Sequence, residues 1–173
     1  MGDAMPDKEV WMIETVESLA PQPPTPTLIE HILVRYHETH RRELPELIAL
    51  AQKVETVHAN DIDAPHGLTQ ALEAMIADLE DHMRNEEAVV FPALDAGMSG
   101  QVDESISLLR DDHAGHEAAL NRIAAITHGF RLPSHACGSW IRLYAGLGKL
   151  AEDLDEHRYL ENDVLFPRFE PDI

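Results

Sequence analysis

The chain has 173 residues, which is enough for one domain with a sizeable core and too few for two ordinary domains. Apolar residues make up 44% and aromatic residues only 5%; Ala and Leu are common and β-branched residues sparse, a balance that favours helices. Thirteen basic and 32 acidic residues give a net charge of -19, which argues against binding to nucleic acid or to an anionic membrane surface.

The sequence shows no sign of export or membrane insertion. Its one cysteine, Cys137, cannot close an intrachain disulfide, so nothing asks for an oxidising compartment. The N-terminus is acidic and lacks the apolar region of a signal peptide. No window approaches the roughly 18 uncharged apolar residues of a membrane span. These features predict a cytoplasmic protein with no membrane partner.

Residues 1–27 are expected to form an N-terminal segment that leads into a single helical domain at residues 28–173. In this segment, KEVWMIETVESLA (residues 8–20) has the apolar spacing of a short amphipathic helix. PQPPTPT (residues 21–27) is typical of a stiff proline-rich linker. The segment is interpreted as a tail or docking element.

Four long segments after the linker repeat apolar residues with the period of a helix, about 3.6 residues. Breaker-rich connections separate them, and their approximate bounds are 28–58, 68–91, 102–127 and 140–166. Pro45 is expected to kink the first segment or cost it a hydrogen bond, and Pro92 is expected to close the second. Four helices with one apolar stripe each predict an all-α, up-down-up-down four-helix bundle.

A repeated string interrupts the apolar stripes with polar residues. DLEDHMRNEEAVVFP (residues 78–92) returns 75 residues later as DLDEHRYLENDVLFP (residues 153–167). The repeat places one His-x-x-x-Glu unit on the second segment and one on the fourth. These units are His82 with Glu86 and His157 with Glu161. The shared Val-x-Phe-Pro is interpreted as packing and helix termination.

The other two segments carry histidines at matching positions. Two pairs stand 76 residues apart: His37 with His113, and His40 with His116. The chain is therefore interpreted as two tandem helical hairpins, each with histidines on its first helix and His-x-x-x-Glu on its second. Spacing alone does not decide which histidine of each first-helix pair is the functional one.

This residue set predicts a metal site. Residues four apart share a helix face, and unpaired buried carboxylates are costly, a cost that cations would remove. Imidazole with carboxylate suits iron, with manganese or zinc as alternatives. Two metal ions with two histidines each and both glutamates as bridges would have four protein donors apiece. An oxo or hydroxo bridge would then leave one open position on each for a small ligand.

Several other polar residues carry open or ordinary interpretations. Two alternatives, contact with a histidine N–H or exposure to solvent, stay open for Asp78, Asp112 and Asp153. His58 and His135 are interpreted as ordinary histidines.

The strings RYHETHRRELPELI, HMRNEEAVVFP and HRYLENDVLFPRF resemble the hemerythrin-like HHE domain. They are most similar to the repair-of-iron-centres (YtfE/ScdA/DnrN) group, and the resemblance covers about residues 28–168. It implies an oxo- or hydroxo-bridged di-iron centre and thereby selects one histidine of each pair. The ligands it implies are His37, His82, Glu86, His113, His157 and Glu161.

The resemblance also implies a function. It predicts a non-haem di-iron protein of the nitrosative and oxidative stress response that binds or reduces NO, supplies iron for iron–sulfur cluster repair, or both; whether it is an enzyme stays open. The implied partners are NO or O2 and apo iron–sulfur proteins. Full-length members carry an N-terminal domain with an adjacent cysteine pair, which this sequence does not have, so steps needing those thiols are not expected.

Two other functions remain as hypotheses. One is a reversible O2- or NO-binding sensor or storage module. The other is a structural bundle with adventitious metal. The resemblance implies four histidine ligands here, whereas oxygen-carrying hemerythrins have a five-histidine site. This difference argues against a dedicated oxygen carrier.

Overall fold

The computed structural model of the protein describes residues 22–98, 100 and 102–170, and all regular secondary structure in these residues is helical. The amphipathic helix predicted at residues 8–20 lies outside the described residues. In the described part of the chain, no helix combines the length and the apolar character needed to cross a membrane.

Four long helices account for most of the described residues, and three of these helices change their helical type along their length. The first helix runs through Thr25–Ile32, Leu33–His37 and Glu38–Val57. The second helix runs through Leu68–Asn85, Glu86–Val90 and Phe91–Asp95. The third helix spans Asp103–Ile126. The fourth helix runs through Gly138–Tyr159, Leu160–Leu165 and Phe166–Arg168. The predicted all-α four-helix bundle is confirmed.

Two helix boundaries differ from the prediction. The first helix begins at Thr25, inside the predicted linker, with Pro26 in its first turn where the missing N–H needs no partner. Pro92 does not end the second helix, which continues to Asp95. Gly97 ends it instead, with φ of 70°. The N–H of Met98 donates to the carbonyl of Ala93 at 3.0 Å, which closes the last turn.

The first helix packs directly against the second and the fourth, and the second packs against the third. The first and fourth helices lie close together, because a Cβ atom on Gly146 would lie 2.5 Å from Cδ2 of Leu47. Two buried apolar clusters fill the bundle. The larger includes Leu44, Leu72, Met75, Leu147 and Trp140. The smaller includes Ile32, Leu94, Ile106, Leu165 and Phe166. A layer of buried polar side chains accompanies these clusters in the interior.

Candidate metal centre

The six residues expected to bind metal converge in the interior. None of them is more than 5% exposed, and they come from all four helices. They are His37, His82, Glu86, His113, His157 and Glu161. Burying six titratable side chains in an apolar interior is costly unless paired charges or bound cations compensate the loss of their hydration.

Three π-helical turns position half of this set. They are Leu33–His37, Glu86–Val90 and Leu160–Leu165, each in a different helix. His37 ends the first turn, Glu86 begins the second, and Glu161 is the second residue of the third. A π turn takes one more residue than an α turn, so it reorients the side chains that follow, and such turns are frequent at functional sites.

One set of donor atoms combines two histidines with both glutamates. Nε2 of His37 lies 3.2 Å from Oε2 of Glu86 and 3.2 Å from Nε2 of His157. Nε2 of His157 lies 2.8 Å from Oε1 of Glu161. One donor atom from each of the four residues lies within 4.8 Å of the other three.

A second set uses the other two histidines and the same glutamates. Nε2 of His82 lies 3.3 Å from Oε1 of Glu86 and 3.1 Å from Nε2 of His113. Nε2 of His113 lies 3.0 Å from Oε2 of Glu161. Each glutamate therefore directs one oxygen to the first set and the other oxygen to the second.

Only some of the short contacts inside the centre are hydrogen bonds, such as the one of 2.8 Å between Nε2 of His157 and Oε1 of Glu161. Both carboxylate oxygens of Glu86 and Oε2 of Glu161 are buried without a hydrogen-bond partner among the described residues. The histidine nitrogens nevertheless approach these oxygens to 3.0–3.3 Å. Lone pairs that converge without alignment to one another are suited to a shared cation, so this donor set fits two metal ions.

Each of the four histidines turns Nε2 inward and uses Nδ1 for an outer contact. The outer partners are Glu87 for His37 at 2.8 Å, Asp112 for His82 at 3.3 Å, Asn162 for His113 at 2.9 Å and His40 for His157 at 3.3 Å. A partner on the outer nitrogen fixes the orientation and tautomer of an imidazole. Glu87 and Asn162 were not singled out from the sequence, although each follows a glutamate of the repeated unit.

His40 and His116, left open by spacing, lie outside both donor sets. His40 stands behind His157, and its pKa is lowered to about 3 by burial and by that neighbour. The His116 ring packs edge-on against His82, with centroids 4.9 Å apart. Burial and the neighbouring His82 lower the pKa of His116 to about 4. Both rings are therefore neutral packing partners of the inner histidines.

The three aspartates differ from one another. Asp112 contacts the outer nitrogen of His82, while Asp78 is exposed to solvent. Asp153 is buried but forms ion pairs with Arg35 at 2.6 Å and Lys149 at 2.7 Å, not with a histidine. Burial would raise the pKa of Asp153, but these two cations outweigh it and lower the pKa.

Charges in the metal-free centre pair with one another. Burial lowers the pKa of His37, but contacts with Glu161 and Glu86 outweigh it and raise the pKa to about 10. For His82, burial is likewise outweighed by Glu86, and the pKa rises to about 9. Burial would raise the pKa of Glu161, whereas His157 and His113 bring that pKa well below its ordinary value. Protons therefore neutralise the centre when no cation does.

Aromatic side chains enclose the imidazoles. Phe91 stacks on His37 with ring centroids 5.7 Å apart, and Phe166 stacks on His113 at 6.4 Å. These are the phenylalanines of the repeated Val-x-Phe-Pro, so the packing interpretation of that string is correct for its aromatic position. Tyr36 stacks on His157 with ring centroids 5.3 Å apart, and the Tyr36 hydroxyl donates to Glu156.

A small cavity of about 80 Å³ reaches the centre between the second, third and fourth helices. Its walls include four histidines: His82, His113, His116 and His157. Arg158 lies in the wall and pairs with Glu117 at 3.5 Å and with Asp155. A cavity needs about 10–15 Å³ of this kind of volume to hold one water, so the space admits small molecules such as water or a diatomic gas.

Comparisons with known proteins agree with this geometry. The family described as the hemerythrin HHE cation binding domain matches residues 28–169. Relatives named iron-sulfur cluster repair protein YtfE include one from Pectobacterium carotovorum subsp. carotovorum, 39% identical over 162 residues, which are 88% of this chain and 73% of the relative. The relative from Musicola paradisiaca is 41% identical over 145 residues, which are 84% of this chain and 65% of the relative.

A third relative of the same name, from Salmonella paratyphi B, is 40% identical over 171 residues, which are 94% of this chain and 78% of the relative. The chain thus spans between 65% and 78% of the length of these relatives. The resemblance expected from the repeated strings is confirmed. Because the family match covers most of the sequence and includes the whole polar layer, the chain belongs to the hemerythrin HHE cation-binding domain family.

Proposed function

We propose that the protein holds two iron ions in this centre and acts in the repair of iron–sulfur clusters under nitrosative or oxidative stress. The observation that carries the proposal is the division of each buried glutamate between two donor sets. The name shared by the relatives supports the role in cluster repair.

The chain offers a defined set of donors to each ion. One ion would be held by Nε2 of His37 and His157 and the other by Nε2 of His82 and His113, with the two glutamates shared between them. Four protein donors per ion leave coordination positions free. Iron held there would supply open positions for a diatomic ligand and a centre that can gain or lose electrons.

The surrounding residues prepare the centre for that task. Contacts on the outer nitrogens, including those of Glu87 and Asn162, hold the inner nitrogens in place before a metal arrives. Arg41 in turn donates to Glu87 at 2.7 Å. The cavity between the second, third and fourth helices would give NO a route to the centre, and the apolar clusters limit the access of bulk water.

A test of this proposal separates iron content from repair. Protein purified without oxygen should contain about two iron ions per chain, as measured by mass spectrometry of the metals. Added to a cluster protein inactivated by NO, it should restore that protein's activity. Glu161→Gln should lose both properties, whereas Glu152→Gln, at an exposed position of the fourth helix, should keep them. Protein with no bound iron, or full repair by Glu161→Gln, would overturn the proposal.

The second candidate function is reversible binding of O2 or NO by a sensor or storage module. The cavity favours it, since its volume of about 80 Å³ suits a diatomic molecule and four histidines line it. This function predicts that the absorption spectrum of the reduced protein changes with oxygen and returns on degassing. Rapid irreversible oxidation in air would count against it and leave the repair function in place.

A further inference from the structure

The two halves of the repeat differ at one histidine position. His40 and His116 occupy equivalent places in the two hairpins, each three residues after an inner histidine. Nε2 of His40 contacts Nδ1 of His157 at 3.3 Å and supports that ring from outside. In the other half the same support, on Nδ1 of His82, comes from Asp112 at 3.3 Å. His116 therefore does not have the supporting contact that its counterpart makes.

The His116 ring is buried and has no polar partner. It is 9% exposed and packs against the rings of His82 and His113, with centroids 4.9 and 6.4 Å away. Its ring nitrogens form no hydrogen bond with any residue that the structure describes. His116 instead lines the cavity that reaches the metal centre. A buried imidazole without a protein partner is costly unless a ligand or water occupies the space beside it.

The outer part of the same cavity carries charged side chains. Glu117 on the third helix and Asp155 on the fourth helix both line it, and both are exposed. Arg158, also in the wall, pairs with both carboxylates and lies 3.5 Å from Glu117. The mouth of the cavity thus already holds one positive charge between two acids. On a chain with a net charge of -19, it attracts further cations from solution.

The cavity presents metal donors in order from solvent to the interior. Burial increases from Glu117 through His116 to His82, and all three side chains lie in the cavity wall. Carboxylate oxygens suit a hydrated iron(II) ion, and imidazole suits the same ion after it has lost water. An ion that passed between apolar side chains alone would lose its hydration without compensation. The order of donors therefore fits the passage of a metal cation.

A second cavity near the centre does not offer this series. It has a volume of about 130 Å³, lies between the first and second helices, and reaches His40, which is engaged with another histidine. Its walls also include Leu44 and Met83. Arg41 holds Glu80 there by two contacts of 2.9 and 3.2 Å, whereas Arg158 makes one contact of 3.5 Å with Glu117. The cavity lined by His116 is therefore the better route for an ion.

We propose that the cavity lined by His116 is the port through which iron(II) enters and leaves the centre. Glu117 and Asp155 replace water on the incoming ion, His116 then binds it, and His82 receives it from His116. Arg158 acts as a latch, because it must release the two carboxylates before they bind the ion. Each step exchanges one ligand for another without electron transfer. The inference rests on the proposed function, which supplies iron as the ion that moves.

The first test measures the release of iron(II) from the loaded full-length protein to excess ferrozine without oxygen. Ferrozine is too bulky for a cavity of about 80 Å³, so the rate should not depend on its concentration. His116→Leu should slow release about tenfold, because a contact with a charged ion is lost during passage. Arg158→Gln should speed release about threefold, because a partly exposed ion pair no longer holds the mouth.

The second test measures the uptake of iron(II) by the same protein after its metal has been removed. A residue that acts only during passage changes uptake and release by the same factor and leaves the affinity unchanged. His116→Leu should therefore slow uptake about tenfold as well, and it should still bind about two ions with wild-type affinity. Damage to the centre itself would instead lower the affinity or the number of ions bound.

A matched pair of double variants tests the carboxylates at the mouth. Glu117→Gln with Asp155→Asn should slow uptake about tenfold, because the attraction for cations is reduced. Glu104→Gln with Glu152→Gln removes the same charge from exposed positions of the same two helices, outside the cavity walls. This control should change the uptake rate less than twofold.

The outcomes separate the port from the proposed function. Unchanged rates in His116→Leu, or a lower affinity without parallel changes in uptake and release, would overturn the port. All rates are also measured with cobalt(II), which binds similar donors and is followed by its absorption. A wild-type protein that holds cobalt(II) but no iron would contradict the proposed function, and the cobalt rates would still decide whether His116 serves as the transfer ligand.

Discussion

The division of Glu86 and Glu161 between two donor sets makes a quantitative prediction about metal content. A histidine belongs to one set, whereas each glutamate belongs to both. His113→Ala removes one of four donor residues from one set and leaves the other set complete. Glu86→Gln weakens both sets at once. We therefore expect iron content to fall from about two per chain to about one in the first variant and below one in the second.

The same logic predicts the thermal stability of the iron-loaded protein. An ion present at about 100 times its dissociation constant stabilises the fold by about 2.7 kcal/mol. For a chain of this size each kcal/mol moves the midpoint by about 2–4 °C, so one site contributes about 5–10 °C. His113→Ala should lose about one such step relative to the wild type. Glu86→Gln should lose about two, which differential scanning calorimetry can measure.

A matched control isolates the donor effect from general damage. Asp78→Asn lies on the same helix as Glu86, changes a carboxylate to an amide in the same way and is exposed. It should retain about two iron ions and the wild-type melting midpoint. If Glu86→Gln keeps full iron content, or if Asp78→Asn loses as much iron as Glu86→Gln, the shared placement of the carboxylate is refuted.

Three further predictions concern protons, outer contacts and the core. Because the pKa values of His37 and His82 are raised to about 10 and about 9, metal binding near neutral pH should release about two protons. Metal affinity should therefore rise with pH up to about 10, as calorimetry in buffers of different ionisation enthalpy can measure. Glu87→Gln should weaken metal affinity about 10- to 100-fold in a chelator competition, because it removes the anionic partner of His37. Leu72→Ala should destabilise the metal-free protein by about 2–5 kcal/mol in urea unfolding without changing its iron capacity.

The fold and the convergence of the six side chains could be predicted because both follow from local patterns. The spacing of apolar residues places four helices, and the repeated His-x-x-x-Glu units place polar side chains on core faces. What spacing did not decide was the choice within each first-helix pair. His37 and His40 are both buried, and both lie near His157. Only the three-dimensional direction of each imidazole separates a residue that faces the glutamates from one that faces an outer nitrogen.

The outer contacts were harder to predict because they join distant parts of the chain. Glu87 is 50 residues from His37, and Asn162 is 49 residues from His113. The helical period predicts which residues face the core. It assigns the glutamate before each of these partners to the core, and therefore it does not single out the partners themselves. Their matching positions in the repeat were nevertheless visible. A polar residue directly after the glutamate of each repeated unit was the available signal.

The π turns were also encoded in the spacing, in a form that an average helical period conceals. With about 3.6 residues per turn, each step of four residues rotates a side chain by about 40° relative to the one before. Three such steps in succession would carry the last side chain off the core face of an ordinary helix. The second helix nevertheless buries a run of residues with this spacing: His82, Glu86, Val90 and Leu94. The turn Glu86–Val90 takes up the accumulated rotation by using an extra residue. An unbroken run of four-residue steps through titratable core positions therefore indicates both where the helix widens and which side chains it turns toward the centre.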